Sequence, residues 1–487
     1  NSKCERKGDS MLKVLFVAAE AVPFIKTGGL ADVAGSLPKA LTAQGVDIRV
    51  VMPKYENIPA EYQQKMKHIG ETTVNLSWRS QYCGVSKLTQ DSVPFYFIDN
   101  EYYFKRSGLY GYDDDAERFA FFSKAVFEIL PLIDFVPDII HCNDWHAGMV
   151  SVFLKDQYHF KYPKLRSVYT IHNLRYQGVF GKDIMGDILG LDWKHFHEGG
   201  VEFDGAVNYM KSGIVYSDFI TTVSQSYAEE IKCPFYGERL DALLREKSHC
   251  LAGIINGIDY DVYDPRKDEK LYHKYSTENI YDKVENKVKL QEKLGLPQNR
   301  SIPMIGIVAR LVAPKGLDLI AHVIEELISG ENVQIVILGT GESQYEELFR
   351  NMAWKYPRKV SANIMFDNEL AQQIYAAADM FLMPSQYEPC GIGQLIALKY
   401  GTIPIVRETG GLKDSVRAYN KYDGTGNGFS FANYNAHELL FAIKKALGAY
   451  DDKAVWQGII KNAMKSDFSW QRSAKQYLKL YENLQQK

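Results

Sequence analysis

The sequence predicts an α/β protein built as two doubly wound, mostly parallel domains. At 487 residues the chain is longer than one hydrophobic core usually supports. From Met11 onward, short β-branched apolar runs alternate with segments of helical spacing, the grammar of a parallel sheet covered by helices on both faces. That grammar occurs twice, on either side of a stretch from Asp264 to Glu285 that is rich in Tyr, Lys and Asp and lacks apolar periodicity. The linker is expected there.

In the first half, Leu12–Ala19 reads as a strand, followed by a helix over Leu30–Gln44 and strands at Ile48–Met52 and Phe95–Ile98. An amphipathic helix is expected over Asp113–Ile129, with Phe119, Phe122, Val126 and Ile129 at helical spacing. Asp138–His141, Ser167–Ile171, Phe219–Val223 and Leu251–Ile255 are short, bounded apolar runs and read as buried strands. In the second half the strands are Ile302–Val308, Gln334–Leu338, Ser361–Phe366, Met380–Met383 and Ile403–Val406. Between them lie helices such as Leu317–Ile328, Gln344–Trp354, Leu370–Ala378 and Gly393–Lys399. A last helix spans Ser469 to Leu484. The expected organisation is a first domain over 11–263, a linker over 264–285, a second domain over 286–468 and a final helix within 469–487. Residues 1–10 are polar, and Met11 opens the first strand, so they are expected to be a disordered or processed extension.

Net charge is −3 with no basic stripe or acidic tail, which argues against nucleic acid and anionic membrane as partners. No apolar run approaches the roughly 20 residues of a membrane helix. The six cysteines lie far apart with no C-x-x-C pair, which argues against a disulfide framework or a zinc knuckle and fits a reducing compartment. The 32 tyrosines and six tryptophans offer flat platforms for sugar rings, although core filling accounts for most of them.

The chemistry is carried by loops at strand ends. Lys26-Thr27-Gly28-Gly29-Leu30 joins the first strand to a helix. Its glycines let backbone N–H groups approach a ligand, the helix turns its positive end toward them, and Lys26 adds a full charge. That combination suits a diphosphate. Downstream come Arg310 with Lys315, then Glu388-Pro389-Cys390-Gly391, then Thr409-Gly410-Gly411-Leu412, each after an apolar run. Gly339-Thr340-Gly341 lacks the third glycine of a dinucleotide fingerprint, so it is weak evidence for NAD. His141 and His146 are five apart and share no helical face, so a metal pair is disfavoured. Asp113-Asp114-Asp115 tempts a metal-dependent reading, but it opens a helix and is more simply first-turn charge.

Together with Asp144-Trp145-His146-Ala147-Gly148, Thr170-Ile171-His172-Asn173 and Asn256-Gly257-Ile258-Asp259, these strings in this order resemble the glycogen and starch synthases, in the branch that uses ADP-glucose. The resemblance runs from about Met11 to about Tyr481. It implies a GT-B glycosyltransferase fold, with two Rossmann-like domains facing a central cleft: an acceptor-side N-terminal catalytic domain and a C-terminal nucleotide-sugar domain. The final helix would return to the first domain. The implied reaction is retaining transfer of glucose from ADP-glucose to the non-reducing end of an α-1,4-glucan, releasing ADP, with no metal and no cofactor.

The resemblance also implies roles for residues. Arg310 and Lys315 match the pair that binds diphosphate, and Glu388 and His172 match residues that contact the donor glucose. Lys26, Gly28, Gly29, Asp32, Asn256, Gly339, Gly341, Cys390, Gly391, Thr409, Gly410 and Gly411 fall on the donor side. Asp144, Trp145 and His146 fall on the acceptor side, where an indole would stack on glucan. Departing charge on the diphosphate is the larger catalytic problem, and losing one preorganised donor typically costs roughly 3 to 4 kcal/mol.

Two stretches depart from the family pattern. Ser224-Gln225-Ser226-Tyr227 stands where many members read Ser-Pro-Thr-Tyr, and Glu238-Arg239-Leu240-Asp241-Ala242 stands where a glycine-rich E-G-L-D-G-like stretch is usual. The rival readings are a GT-B transferase with a UDP or GDP donor, and a glucan-binding homologue impaired through the altered 238–242 loop. A phosphorylase would require a pyridoxal phosphate lysine motif, which is not found. A cytoplasmic location is expected, or the plastid stroma in a plant. The sequence leaves open glycogen against starch as product and the number of subunits.

Overall fold

The computed structural model describes residues 11–486, and the 1–10 extension lies outside the described residues. The chain divides into two compact units. The first holds the chain up to Val223, Ala228–Ile254 and the residues from Trp470 on; the second holds Ser224–Tyr227 and Ile255–Ser469.

The first unit is organised by a nine-stranded sheet, with a separate three-stranded sheet. In chain order its strands are β1 (Lys13–Val17), β2 (Asp47–Pro53), β3 (Lys67–Leu76), β4 (Arg79–Gln90), β5 (Val93–Asp99), β6 (Ile139–Asn143) and β7 (Arg166–Ile171). β8 (Val179–Gly181), β9 (Glu202–Phe203) and β10 (Ala206–Asn208) make the small sheet, and β11 (Phe219–Thr222) and β12 (Leu251–Gly253) complete the large one. The large sheet runs β12-β11-β7-β6-β1-β2-β5-β4-β3 and is parallel except at β3 and β4. β1 and β6 are fully buried apart from Lys13, as continuous apolar strands covered on both faces must be. The hairpin β3–β4 mixes exposed and covered positions and carries many polar residues, so it offered no apolar run to the sequence reading.

The second unit carries an all-parallel six-stranded sheet. Its strands are β13 (Met304–Val308), β14 (Gln334–Leu338), β15 (Val360–Asn363), β16 (Met380–Met383), β17 (Ile403–Arg407) and β18 (Phe429–Phe431), in the order β15-β14-β13-β16-β17-β18. The helix Leu317–Gly330 buries Leu317, Ile320, Val323, Ile324 and Leu327 at three- and four-residue spacing, which lays one apolar face on the core.

The segment 264–285, expected to be a linker, is part of the second unit's body. Tyr275 is 1% exposed and donates its hydroxyl proton to the carbonyl of Tyr400 over 2.6 Å. Asp268 accepts from Tyr400 Oη at 2.6 Å and Gln372 Nε2 at 2.7 Å. The charge that suggested a solvated connection is paired internally, and the chain passes between units earlier, at Ile254–Ile255. The helix Trp470–Gln485 belongs to the first unit. There Tyr481 Oη meets His141 Nδ1 at 2.6 Å, while His141 Nε2 meets Thr170 Oγ1.

Among parallel strands the order turns back between β1 and β6 in the first unit and between β13 and β16 in the second. Ligands of doubly wound sheets bind beyond the carboxyl ends of strands at such points. β1 feeds the Lys26 loop and β6 feeds Asp144; β13 feeds Arg310 and Lys315, and β16 feeds Glu388.

Candidate active site

In the second unit, Lys315 and Glu388 meet directly. Lys315 Nζ lies 2.6 Å from Glu388 Oε2, and the Ser385 hydroxyl donates to the same oxygen over 3.1 Å. Gly316 makes this possible: its backbone is left-handed, at φ 76, and a Cβ there would stand 2.0 Å from the carbonyl oxygen of Pro384. The close approach brings Lys315 beside the loop that carries Glu388. Arg310 is exposed and makes no ion pair among the described residues.

Asn256 is buried, and its Oδ1 has no hydrogen-bond partner. Its backbone N–H donates to the Cys390 sulfur, and burial pushes that thiol up to about 12, so Cys390 is a packed thiol and not a thiolate nucleophile. Gly391 follows it in the same loop.

Several amides expected to face a diphosphate face protein instead. The Gly411 N–H donates to the carbonyls of Glu388 and Pro389, and a Cβ at Gly411 would stand 2.0 Å from the carbonyl oxygen of Cys390. Thr409, Gly410 and Gly411 therefore brace the Glu388 loop by backbone-on-backbone packing. The Gly339 N–H donates to Asn363 O, and the Gly341 N–H to Glu346 Oε1 at 2.9 Å.

The altered Ser224–Tyr227 stretch keeps its hydroxyls in use. Ser224 Oγ donates to Pro389 O over 2.6 Å, and Ser226 donates through its N–H and its hydroxyl to Asp414.

In the first unit, the Lys26 loop is held from within. Glu20 Oε2 accepts from Thr27 N at 2.8 Å and Thr27 Oγ1 at 2.6 Å, and Oε1 accepts from Gly28 N at 3.2 Å. The Gly28 amide is thus engaged by protein. Gly29 differs: a Cβ there would meet nothing within 4 Å, so packing does not require glycine at that position. Lys26 is half-exposed and pairs with Asp32, 2.7 Å away.

Asp144 sits at φ 56 and ψ −177, a backbone region that side chains other than glycine rarely occupy, and strain of this kind clusters at functional sites. Its carboxylate accepts from His172 N at 2.8 Å, and burial pushes it up to about 7. His172 Nε2 lies 2.8 Å from Asn143 Oδ1; the Asn143 amide is oriented by its donation to Val17 O. That orientation assigns the His172 proton to Nε2 and leaves Nδ1 as an acceptor. Burial holds the ring neutral, with its pKa lowered to about 3.

Trp145 does not form the expected glucan platform. The indole is 8% exposed, with the Gly178 backbone against it, His146 tilted over it at 4.1 Å between ring centroids and Phe119 edge-on at 5.1 Å. His146 is buried too, and neither ring nitrogen has a hydrogen-bond partner. Of the three acceptor-side residues, only Asp144 retains an intermediate exposure.

Among the described residues no group of three or more His, Cys, Asp or Glu is placed to hold a metal. Asp114 pairs with Arg106, and Asp115 with buried Arg118, so these acids are structural.

Sequence reasoning missed Glu20, Ser385 and Arg407. Arg407 is buried and donates to the carbonyls of Ser385, Gln386 and Ala432, which fixes the approach to Glu388. Glu20 carried a usable signal, a lone acid at the end of an apolar strand.

Family models match two stretches: "Starch synthase catalytic domain" over residues 13–246 and "Glycosyl transferases group 1" over 288–462. The chain is 56% identical to a glycogen synthase of Clostridium novyi, over 97% of this chain and 99% of that protein. It is 53% identical to a glycogen synthase of Clostridioides difficile, over 97% of this chain and 100% of that protein. Among solved structures it matches the catalytic domain of starch synthase IV from Arabidopsis thaliana, bound to ADP and acarbose, with a TM-score of 0.90, 32% identity and coverage of 98% and 100%. A sucrose-phosphate synthase from Thermosynechococcus elongatus, at 17% identity and a TM-score of 0.61 over 97% and 99% of the chains, shares the fold.

Proposed function

Because this chain belongs to the glycogen and starch synthase family and has its GT-B fold, we propose that it transfers glucose from ADP-glucose to the non-reducing end of an α-1,4-glucan with retention at the anomeric carbon. The bond from that carbon to the β-phosphate oxygen of ADP breaks, and a bond to the acceptor's 4-oxygen forms on the same face. The acceptor's hydroxyl proton leaves with the departing phosphate. The relative bound to ADP and acarbose supports ADP as leaving group and an α-glucan-like acceptor.

The observation that carries the reading is the meeting of Lys315 and Glu388 at the β13–β16 reversal, with exposed Arg310 on the preceding loop. Two cations suit a diphosphate whose charge grows as the bond breaks, and a carboxylate suits a sugar that becomes oxocarbenium-like. The unpartnered Asn256 Oδ1 in the same unit supports a polar ligand there. In the first unit, exposed Gly29 and half-exposed Lys26 support donor contact. Neutral His172 suits a hydrogen bond to the sugar, and Asp144 one to the acceptor. The reading calls for no resident metal or cofactor. Five free cysteines among the described residues suit a cytoplasmic location.

ADP release from ADP-glucose with glycogen as acceptor tests this, with UDP-glucose in parallel. Glycogen-dependent ADP release much faster than UDP release is expected. UDP release alone moves the chain to another donor class, and glucan binding without turnover of either donor overturns catalysis.

A further inference from the structure

Glu20 is a buried carboxylate with no cation against it among the described residues. It is 3% exposed at the end of β1, and the charged or titratable groups in its surroundings are Asp32, Asp144, Tyr55 and Tyr110. Burial raises its pKa above the ordinary glutamate value. A buried charge without a counter-charge is costly unless hydrogen bonds compensate it, and here every hydrogen bond it accepts comes from one loop. Thr27 N–H, Thr27 O–H and Gly28 N–H converge on its two oxygens at 2.8, 2.6 and 3.2 Å.

Three donors on two oxygens select the ionised form. A carboxylate is acceptor-only, whereas glutamine replaces one oxygen with a donor and the protonated acid gives up an acceptor site to its own proton. With its first amides turned inward onto Glu20, the loop leaves at the surface the Lys26 side chain, paired with Asp32, and the exposed Gly29 that starts the helix Gly29–Thr42. The carboxylate thereby ties Thr27 and Gly28, between Lys26 and Gly29, to the end of β1.

We propose that Glu20 is a positioning residue for the glucosyl transfer, holding the Lys26–Gly29 loop in the conformation that receives the donor's diphosphate. This rests on the donor assignment of that loop made above. Glu20 touches no reacting atom and acts through Thr27 and Gly28.

The role separates from ordinary structural support by which parameters move. Glu20→Gln, made in the full chain, keeps the side chain's volume but turns a donor onto the Thr27 and Gly28 donors, and is expected to lower Tm by no more than a few degrees. Its KM for ADP-glucose and the Kd for ADP by calorimetry should both rise about tenfold, as expected for one lost charge-assisted hydrogen bond behind the loop. The KM for glycogen should stay unchanged. Donor parameters equal to wild type overturn the proposal, as does a fall in Tm that accompanies an equal loss in every kinetic parameter. If E20Q does not fold, Thr27→Val removes only the hydroxyl donor, and a wild-type KM for ADP-glucose in T27V overturns the proposal equally. Wild-type protein that neither binds ADP nor releases it from ADP-glucose refutes the donor assignment and this inference with it. Wild-type turnover matched by E20Q refutes this inference alone.

Discussion

Lys315 Nζ and Glu388 Oε2 stand 2.6 Å apart, joining the loops after β13 and β16 into one charged centre. The pair is mostly buried, with side-chain exposures of 24% and 11%, so each charge depends on the other more than it would at the surface. Ser385 and Arg407 extend the centre backward into the sheet.

Replacing Glu388 by Gln keeps its shape and removes its charge. Turnover of ADP-glucose is expected to fall by roughly 100- to 1,000-fold in E388Q and in Lys315→Ala, the size of effect that removing one preorganised electrostatic group produces. Far-UV circular dichroism should remain wild-type in both. Near-normal kcat in either variant contradicts the assigned roles.

Two glycines of similar sequence context should respond in opposite ways. Gly29→Ala adds a methyl into open space at the start of a helix and should leave stability unchanged or raise it by about 0.5 kcal/mol, while raising the KM for ADP-glucose. Gly411→Ala forces a methyl toward the Cys390 carbonyl and should destabilise the fold by about 1–3 kcal/mol through overpacking. Thermal unfolding alongside donor titration separates the two.

The 238–242 loop makes a left-handed turn without glycine. Glu238 and Arg239 have φ of 45 and 69. Arg239 pairs with Asp204 and lies 5.2 Å above the Phe203 ring. An exposed ion pair contributes little, whereas the left-handed conformation costs about 1–2 kcal/mol at a residue with a side chain. Arg239→Gly is therefore expected to raise stability by about 1 kcal/mol. A lower Tm in R239G would mean that the Asp204 and Phe203 contacts outweigh the strain.

Buried neutral histidines set the acid limit. His141, His146 and His172 are each lowered to about 3 from an ordinary 6.5, because burial disfavours the imidazolium. The unfolded chain takes up these protons below about 6.5 and the folded chain does not, so stability falls as pH drops through that value. Asp144 has the opposite slope, since the fold keeps its proton up to about 7 against an ordinary 3.8. Three histidines outweigh one aspartate, and Tm should decline between pH 7 and pH 5. Asp144→Asn removes the opposing contribution and should steepen the decline; a flat or rising Tm in the wild type contradicts the burial argument.

The sequence by itself determined the α/β class, because continuous β-branched runs such as Ile335–Leu338 and heptad-like faces such as Leu317–Ile328 follow from local periodicity alone. It also marked the strand-end loops that are candidates for chemistry, since glycine and charge stand there irrespective of packing. What only the tertiary structure decided is what those loops point at. Trp145 reads as a sugar platform until the Gly178 backbone covers its ring. Gly411 reads as a phosphate donor until its N–H is seen on Glu388 O. Asp264–Glu285 reads as a linker until Tyr275 is found in the core. Each of these depends on partners far away in sequence. A side chain's exposure and the destination of an N–H are properties of close-packed neighbours, and local spacing holds no record of them.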